Sequence, residues 1–332
     1  MCVRILLPLA LLLSCSLGMQ SQASDEVHVV PQKKSPAKIS PSATTQDAPT
    51  LTVHSKRFRA DVDLVLVPVT VTDSMNRPVV GLTKADFSLF EDGGRQQIRS
   101  FWCDDSPISV GVILDLSKSM GNKLDVAREA LGKFFDLGNP EDDYFVITFS
   151  DRPRLLADAS QSIGSIQSQL ATTVAGGHTA LLDAIYMGEN ELRHARYKRR
   201  ALLIISDGGD NRSRFTASEL KSMVEEEDAT LYAIGLFDKV FKTPEEWAGK
   251  RLLTQITEAT GGRTIALGNP KNLPRAAAAI SVEMRNQYIL GYRPSNPAHN
   301  GKWRKIKVRI TPRPDPAQMQ VYARSGYKAP EE

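Results

Sequence analysis

Five short apolar runs along the middle of the chain constrain its fold more than any other feature. Val110 to Leu114, Tyr144 to Phe149, Leu202 to Ile205, Leu231 to Leu236 and Thr264 to Leu267 are too short for typical helices. They are also too continuously apolar for strands with one face in water, which alternate. Between them, Leu124 to Phe135, Ala180 to Arg196, Ala217 to Glu226, Glu245 to Ala259 and Leu273 to Met284 carry apolar residues at helical spacing. Strands buried on both faces and alternating with amphipathic helices predict an α/β fold, a doubly wound, mostly parallel sheet with helices on both faces. Leu155 to Ala159 is a candidate short extra strand. With 332 residues, 41% of them hydrophobic, the chain has material for such a core.

The flanks read differently. "VDLVLVPVTVTD", from Val62, is β-branched and alternating, and Asp73 to Arg77 is a polar turn. "FSLFEDGGRQQIRSFWCDD" predicts two short strands joined at Asp92-Gly93-Gly94. After Arg285, "QYILGYRP", "WRKIKVRITP" and "MQVYARSGY" each predict a strand. Neither flank can bury a core alone. The expected organisation is an N-terminal β segment (57–104) and a C-terminal one (286–328) pairing into a small β sandwich. The central α/β domain (105–285) is then an insertion between its halves.

Residues 1–23 predict an export signal, with Arg4 ahead of the apolar run Ile5 to Leu13, which is too short to span a bilayer. Ser21-Gln22-Ala23 resembles a cleavage site, and Leu12-Leu13-Ser14-Cys15 resembles a lipobox in which Cys15 carries lipid. The protein is thus expected in the periplasm, at the cell surface or outside the cell, with membrane attachment only through its N-terminus. Residues 24–56, rich in Ser, Thr, Pro, Gln and Lys, predict a disordered tether. Of three cysteines only Cys103 lies beyond the signal, which excludes an internal disulfide and a Cys-based metal site.

A net charge of +4 does not itself imply nucleic acid as a partner. The cluster "RHARYKRR" is expected at a helix C-terminus, where positive charge is favoured. In the other basic run, Lys305, Lys307 and Arg309 alternate with Ile306, Val308 and Ile310, which predicts a solvated strand face.

Ligands of doubly wound sheets bind beyond the carboxyl ends of the strands. Three segments bring oxygen side chains to such places: Asp115-x-Ser117-x-Ser119, Thr179 in "AGGHTALLDAI", and Asp207 in "ALLIISDGGDN". Two carboxylates and three hydroxyls suit a hard divalent cation, Mg²⁺ with Mn²⁺ or Ca²⁺ as alternatives. The two carboxylates roughly balance the ion and leave it electrophilic towards one more anionic ligand, a Glu or Asp of a partner protein. Each motif alone has a simpler reading: Asp-Ser-Ser caps a helix, and Gly-Gly-x-Thr starts one.

Together, D-x-S-x-S after the first central strand, Gly-Gly-x-Thr before a helix and strand-S-D-G resemble the metal-ion-dependent adhesion site of von Willebrand factor type A domains. The resemblance covers about Ser106 to Arg285. The flanking "GLTKADFSLFEDGGRQQI" and "YILGYRP" resemble the exported bacterial proteins called VWFA-related, common in acidobacteria. The resemblance implies that Ser117, Ser119 and Thr179 contact the metal and that Asp115 and Asp207 do so directly or through water. Lys118 stands where the family usually has Gly, and His178 lies inside the Gly-Gly-Thr run; both are partner-contact candidates. Asp183 and Asp210 are nearby carboxylates in supporting or solvated positions.

The leading expectation is an exported, metal-dependent adhesion module rather than an enzyme. One alternative is a structural scaffold with a vestigial metal site. Another is a metal-dependent phosphohydrolase using Asp115 as nucleophile. Aspartyl phosphatases need a second Asp two residues on, where this chain has Ser117.

Overall fold

The computed structural model describes residues 64–207, 209–237, 244–311 and 319–331. The expected signal, tether and lipobox Cys15 lie outside the described residues. In chain order the elements are β1 (Val65–Thr72), β2 (Phe87–Glu91), β3 (Gly94–Gln96), β4 (Ile98–Asp104) and β5 (Ser109–Asp115). There follow α1 (Leu124–Asp136), β6 (Asp143–Phe149), β7 (Pro153–Ala157), α2 (Ile163–Ala171), α3 (Leu181–Arg193) and β8 (Arg200–Ser206). Next come α4 (Ala217–Glu226), β9 (Thr230–Leu236), α5 (Pro244–Thr260), β10 (Thr264–Leu267) and α6 (Leu273–Arg285). The chain closes with β11 (Gln287–Tyr292), β12 (Trp303–Ile310), β13 (Gln320–Ala323) and β14 (Gly326–Lys328).

The central sheet has strand order β10-β9-β8-β5-β6-β7. All its pairings are parallel except β6 with β7. The alternation within β5 explains its continuous apolarity. Val110, Val112 and Leu114 pack with α1, α2 and α6 on one face, whereas Ile113 packs with α3, α4 and α5 on the other. Fully burying each such side chain is worth about 1.5–3 kcal/mol. Gly111 interrupts the run because a Cβ there would lie 2.3 Å from the Phe145 ring and 2.5 Å from Leu202. From β5 the chain moves to β6 on one side and later to β8 on the other. The strand order therefore reverses between β5 and β8, and their carboxyl ends flank the crevice.

Segments from both ends of the chain build the sandwich. One antiparallel sheet runs β13-β1-β11-β4 and the other β14-β12-β2-β3. Val67, Val69, Leu89, Tyr288, Leu290 and Ile306 fill the space between them. Asp92 (φ 46°) and Gly93 (φ 85°) make the tight β2–β3 turn, a left-handed pair that suits a two-residue hairpin. Glu91 anchors the sandwich: Tyr292 and Tyr327 donate to its Oε2 at 2.6 and 2.9 Å.

Four details differ from the sequence reading. The segment after the Asp92-Gly93 turn is two strands, because β4 leaves β2 and β3 to pair with β11 in the other sheet. "MQVYARSGY" likewise splits into β13 and β14, one in each sheet. Helix α2 was not expected; only Ile166 and Leu170 are fully buried in it, with Ile163 partly buried beside the same core, and most of its other positions are small or polar. Helix α3 ends at Arg193, so most of "RHARYKRR" lies beyond the helix terminus. Arg199 turns inward instead, 3.4 Å from Asp104 and donating to Met284 O at 2.6 Å.

Candidate metal centre at the sheet crevice

Strand β5 delivers Asp115 to the crevice with no exposed surface. The Ser117 N–H donates to Asp115 Oδ1 at 2.8 Å, and the Ser206 Oγ, at the end of β8, donates to Oδ2 at 2.6 Å. Despite these donors, burial and then the nearby charge of Asp207 push the Asp115 carboxyl up to about 6. The two donors thus leave the charge of Asp115 incompletely offset.

The loop after β5 forms a short turn over Lys118–Met120, with Met120 buried beneath it. Ser117 occupies the cap position of this turn, yet its side chain makes no capping hydrogen bond. Lys123 is the residue at the start of α1 and does not cap it either. The Asp-Ser-Ser run is therefore not spent on starting a helix. Instead the Ser117 and Ser119 hydroxyls lie 3.1 Å apart, Ser117 buried and Ser119 at the exposed rim.

The Gly-Gly loop lies directly against this turn. Gly176 N–H donates to Leu116 O at 2.7 Å, and Lys118 N–H donates to Gly177 O at 3.2 Å. Gly177 has φ 82°, and a Cβ on it would sit 2.9 Å from the Asp151 carboxylate. Asp151 also accepts the His178 N–H at 3.0 Å. The next residue, Thr179, is buried and is held by backbone bonds: its N–H donates to Asn211 Oδ1, and its carbonyl accepts from Asn211 and Arg212.

Thr179 does not cap α3, where Ala180 occupies the cap position. The helix N-terminus is satisfied from another loop. Asp210 accepts from Leu181 N–H at 3.1 Å, and Ser213 Oγ accepts from Leu182 and Asp183 at 3.0 and 3.2 Å. Asp210 is thus a helix-capping group, and burial raises its acid above the usual carboxylate range. Asp183 accepts from the backbone of Arg214 and Phe215 at 2.8 and 3.2 Å and braces the same loop. Both carboxylates have structural tasks, and the start of α3 does not draw on the Thr179 hydroxyl.

Asp207 is 7% exposed and follows β8. Its Oδ2 meets Lys123 Nζ at 3.3 Å. The structure thus joins Asp115, Ser117 and Ser119 by hydrogen bonds, sets Asp207 near enough for its charge to raise Asp115, and brings Thr179 in through its loop. Lys118 and His178 are exposed at the rim. Sequence reasoning missed Lys123 and the bond from Ser206 to Asp115, since neither has a local pattern. Among the described residues no group of three His, Cys, Asp or Glu side chains could hold a metal. A metal at the crevice would therefore rely on hydroxyls beside its two carboxylates. That mixed, hard-oxygen donor set around an undercompensated acid fits Mg²⁺, Mn²⁺ or Ca²⁺.

Comparison with known proteins places this crevice in a family context. Residues 110–209 match the family model of the von Willebrand factor type A domain. No curated protein matches the chain significantly. Among solved structures, a von Willebrand factor type A protein from Catenulispora acidiphila is similar at 14% identity and TM-score 0.49, over 82% of this chain and 64% of that one. The PilB minor pilin from Streptococcus sanguinis is similar at 13% identity and TM-score 0.44, over 55% and 62% respectively. The conserved hypothetical protein BatB from Bacteroides thetaiotaomicron is similar at 18% identity and TM-score 0.41, over 53% and 97%. The chain thus spans less than two thirds of the length of the first two.

Proposed function

We propose that this chain, whose central segment matches the von Willebrand factor type A domain, is an exported protein-interaction module that grips an acidic side chain of a partner through a divalent cation. The observation that carries the reading is Asp115, sealed from water and raised to about 6 by burial and by Asp207. Asp115, Asp207, Ser117, Ser119 and Thr179 would hold the ion, directly or through water. The bound ion would supply positive charge to an incoming carboxylate at a crevice open at Ser119. Neutral hydroxyls leave that charge unspent, whereas further carboxylates would repel the partner. Lys118 and His178, exposed at the rim, would meet the partner. Export rests on the signal-like residues 1–23, and the tether-like stretch after them suits a module held off from an envelope surface.

Acetate is the smallest probe of this reading. Added to the protein with Mn²⁺, it is expected to displace metal-bound water and lower the water-proton relaxation enhancement, an effect absent in Asp115→Ala. Acetate binding that persists in a chelator would overturn the proposal.

A further inference from the structure

Lys123 stands at the N-terminal boundary of α1, where a helix favours acidic side chains over basic ones. Its backbone serves the helix entry: the N–H donates to Met120 O at 2.8 Å, and the carbonyl accepts from Ala127 at 3.0 Å. Its side chain does something else. It reaches across the crevice to Asp207, 84 residues away in sequence, and places Nζ 3.3 Å from Oδ2. The two side chains are only 19% and 10% exposed, so solvent screens this pair far less than a surface ion pair. Among the described residues, no other cation is ion-paired to Asp207, and none to Asp115.

From this contact, and resting on the metal-site reading above, we infer that Lys123 is a tethered cation that competes with the divalent ion for Asp207. With the ammonium in place the two carboxylates carry one net negative charge instead of two. An entering ion must displace the ammonium or share the crevice with a like charge. Either route weakens metal binding, so the site is tuned to fill only when metal is plentiful or a partner's carboxylate adds its own attraction. Lys118 cannot play this part, because its contact with the site is through its backbone and its side chain is exposed.

The test is calorimetric titration of Mn²⁺ into the full chain as wild type, Lys123→Met and Lys123→Arg. Lys123→Met keeps the stem and removes the charge; it is expected to bind Mn²⁺ at least about tenfold more tightly. Lys123→Arg keeps the charge and is expected to stay close to wild type. Thermal unfolding gives a second reading: in a chelator Lys123→Met should melt below wild type, and added Mn²⁺ should raise its melting temperature by more. Wild type that binds Mn²⁺ beside a folded Lys123→Met that binds no tighter would overturn this inference and leave the metal site standing. Absence of binding in all three would overturn both.

Discussion

Asp115→Asn should make the metal-free protein more stable and the metal-loaded protein less so. In the folded chain the Asp115 acid rises from 3.8 to about 6, with burial the larger cause and Asp207 the next. The shift corresponds to about 3 kcal/mol. Its sign follows from the raised value: the folded state holds this proton more tightly than the unfolded one. The stability linked to it is complete below pH 3.8, is lost as pH rises through about 6, and stays lost above. Asparagine keeps the shape and carries no charge. Its oxygen can accept from Ser117 N–H, and its amide can donate to Ser206 Oγ, the positions that now serve the carboxylate. Urea unfolding in a chelator near neutral pH should therefore favour the variant by up to about 3 kcal/mol. Adding Mg²⁺ should reverse the order. Metal at a thousand times its dissociation constant stabilises a binding protein by about 4.1 kcal/mol, more than the variant's advantage, and the variant would gain nothing. A variant less stable than wild type in chelator, or equally stabilised by Mg²⁺, would refute the reasoning.

Three further outcomes are expected. Glu189 on α3 has both carboxylate oxygens buried without a hydrogen-bond partner among the described residues, and burial followed by the Glu227 charge pushes it up to about 8. Wild-type stability should accordingly fall as pH rises from 4.5 through 8, by as much as about 5 kcal/mol, and Glu189→Gln should flatten that dependence in urea titrations; parallel pH profiles would contradict this. Arg263 Nε donates to Glu283 Oε2 at 2.8 Å inside the protein, where burial still raises the Glu283 acid against the pull of Arg263. Arg263→Met should cost about 3–5 kcal/mol by stranding that acid, and an unchanged melting temperature would show that the pair is not needed. Metal affinity should drop about tenfold per pH unit below about 6, because the proton and the metal compete for Asp115; affinity flat across that range would count against Asp115 as a ligand.

The central sheet was legible because strands covered on both faces cannot alternate, and the Val110 to Leu114 run of β5 shows that pattern with Gly111 as its single exception. The core ligand candidates were legible because D-x-S-x-S and Gly-Gly-x-Thr are local patterns. What escaped depended on distant partners. No sequence pattern ties Lys123 to Asp207, or Ser206 to Asp115 across 91 positions. "RHARYKRR" reads as a basic cluster at a helix C-terminus, yet Arg199 is drawn inward, where it meets Asp104 and the Met284 carbonyl. Helix α2 escaped for the opposite reason: its contacts are local and few, with Ile166 and Leu170 buried and Ile163 partly so, and its other positions are mostly Ser, Gln and Gly. The helix-capping explanations of the two motifs were open until the caps themselves were visible. Those caps fall on Lys123 and Ala180 and leave the hydroxyls of Ser117 and Thr179 unclaimed by helix starts.

Calorimetric titration of Mg²⁺ into the full chain, beside Asp115→Ala, tests the central claim most directly. The account predicts one saturable binding event in the wild type, strengthened by added acetate and absent in Asp115→Ala. Absence of binding in the wild type at millimolar Mg²⁺ with acetate present, or identical binding in the two proteins, would contradict it.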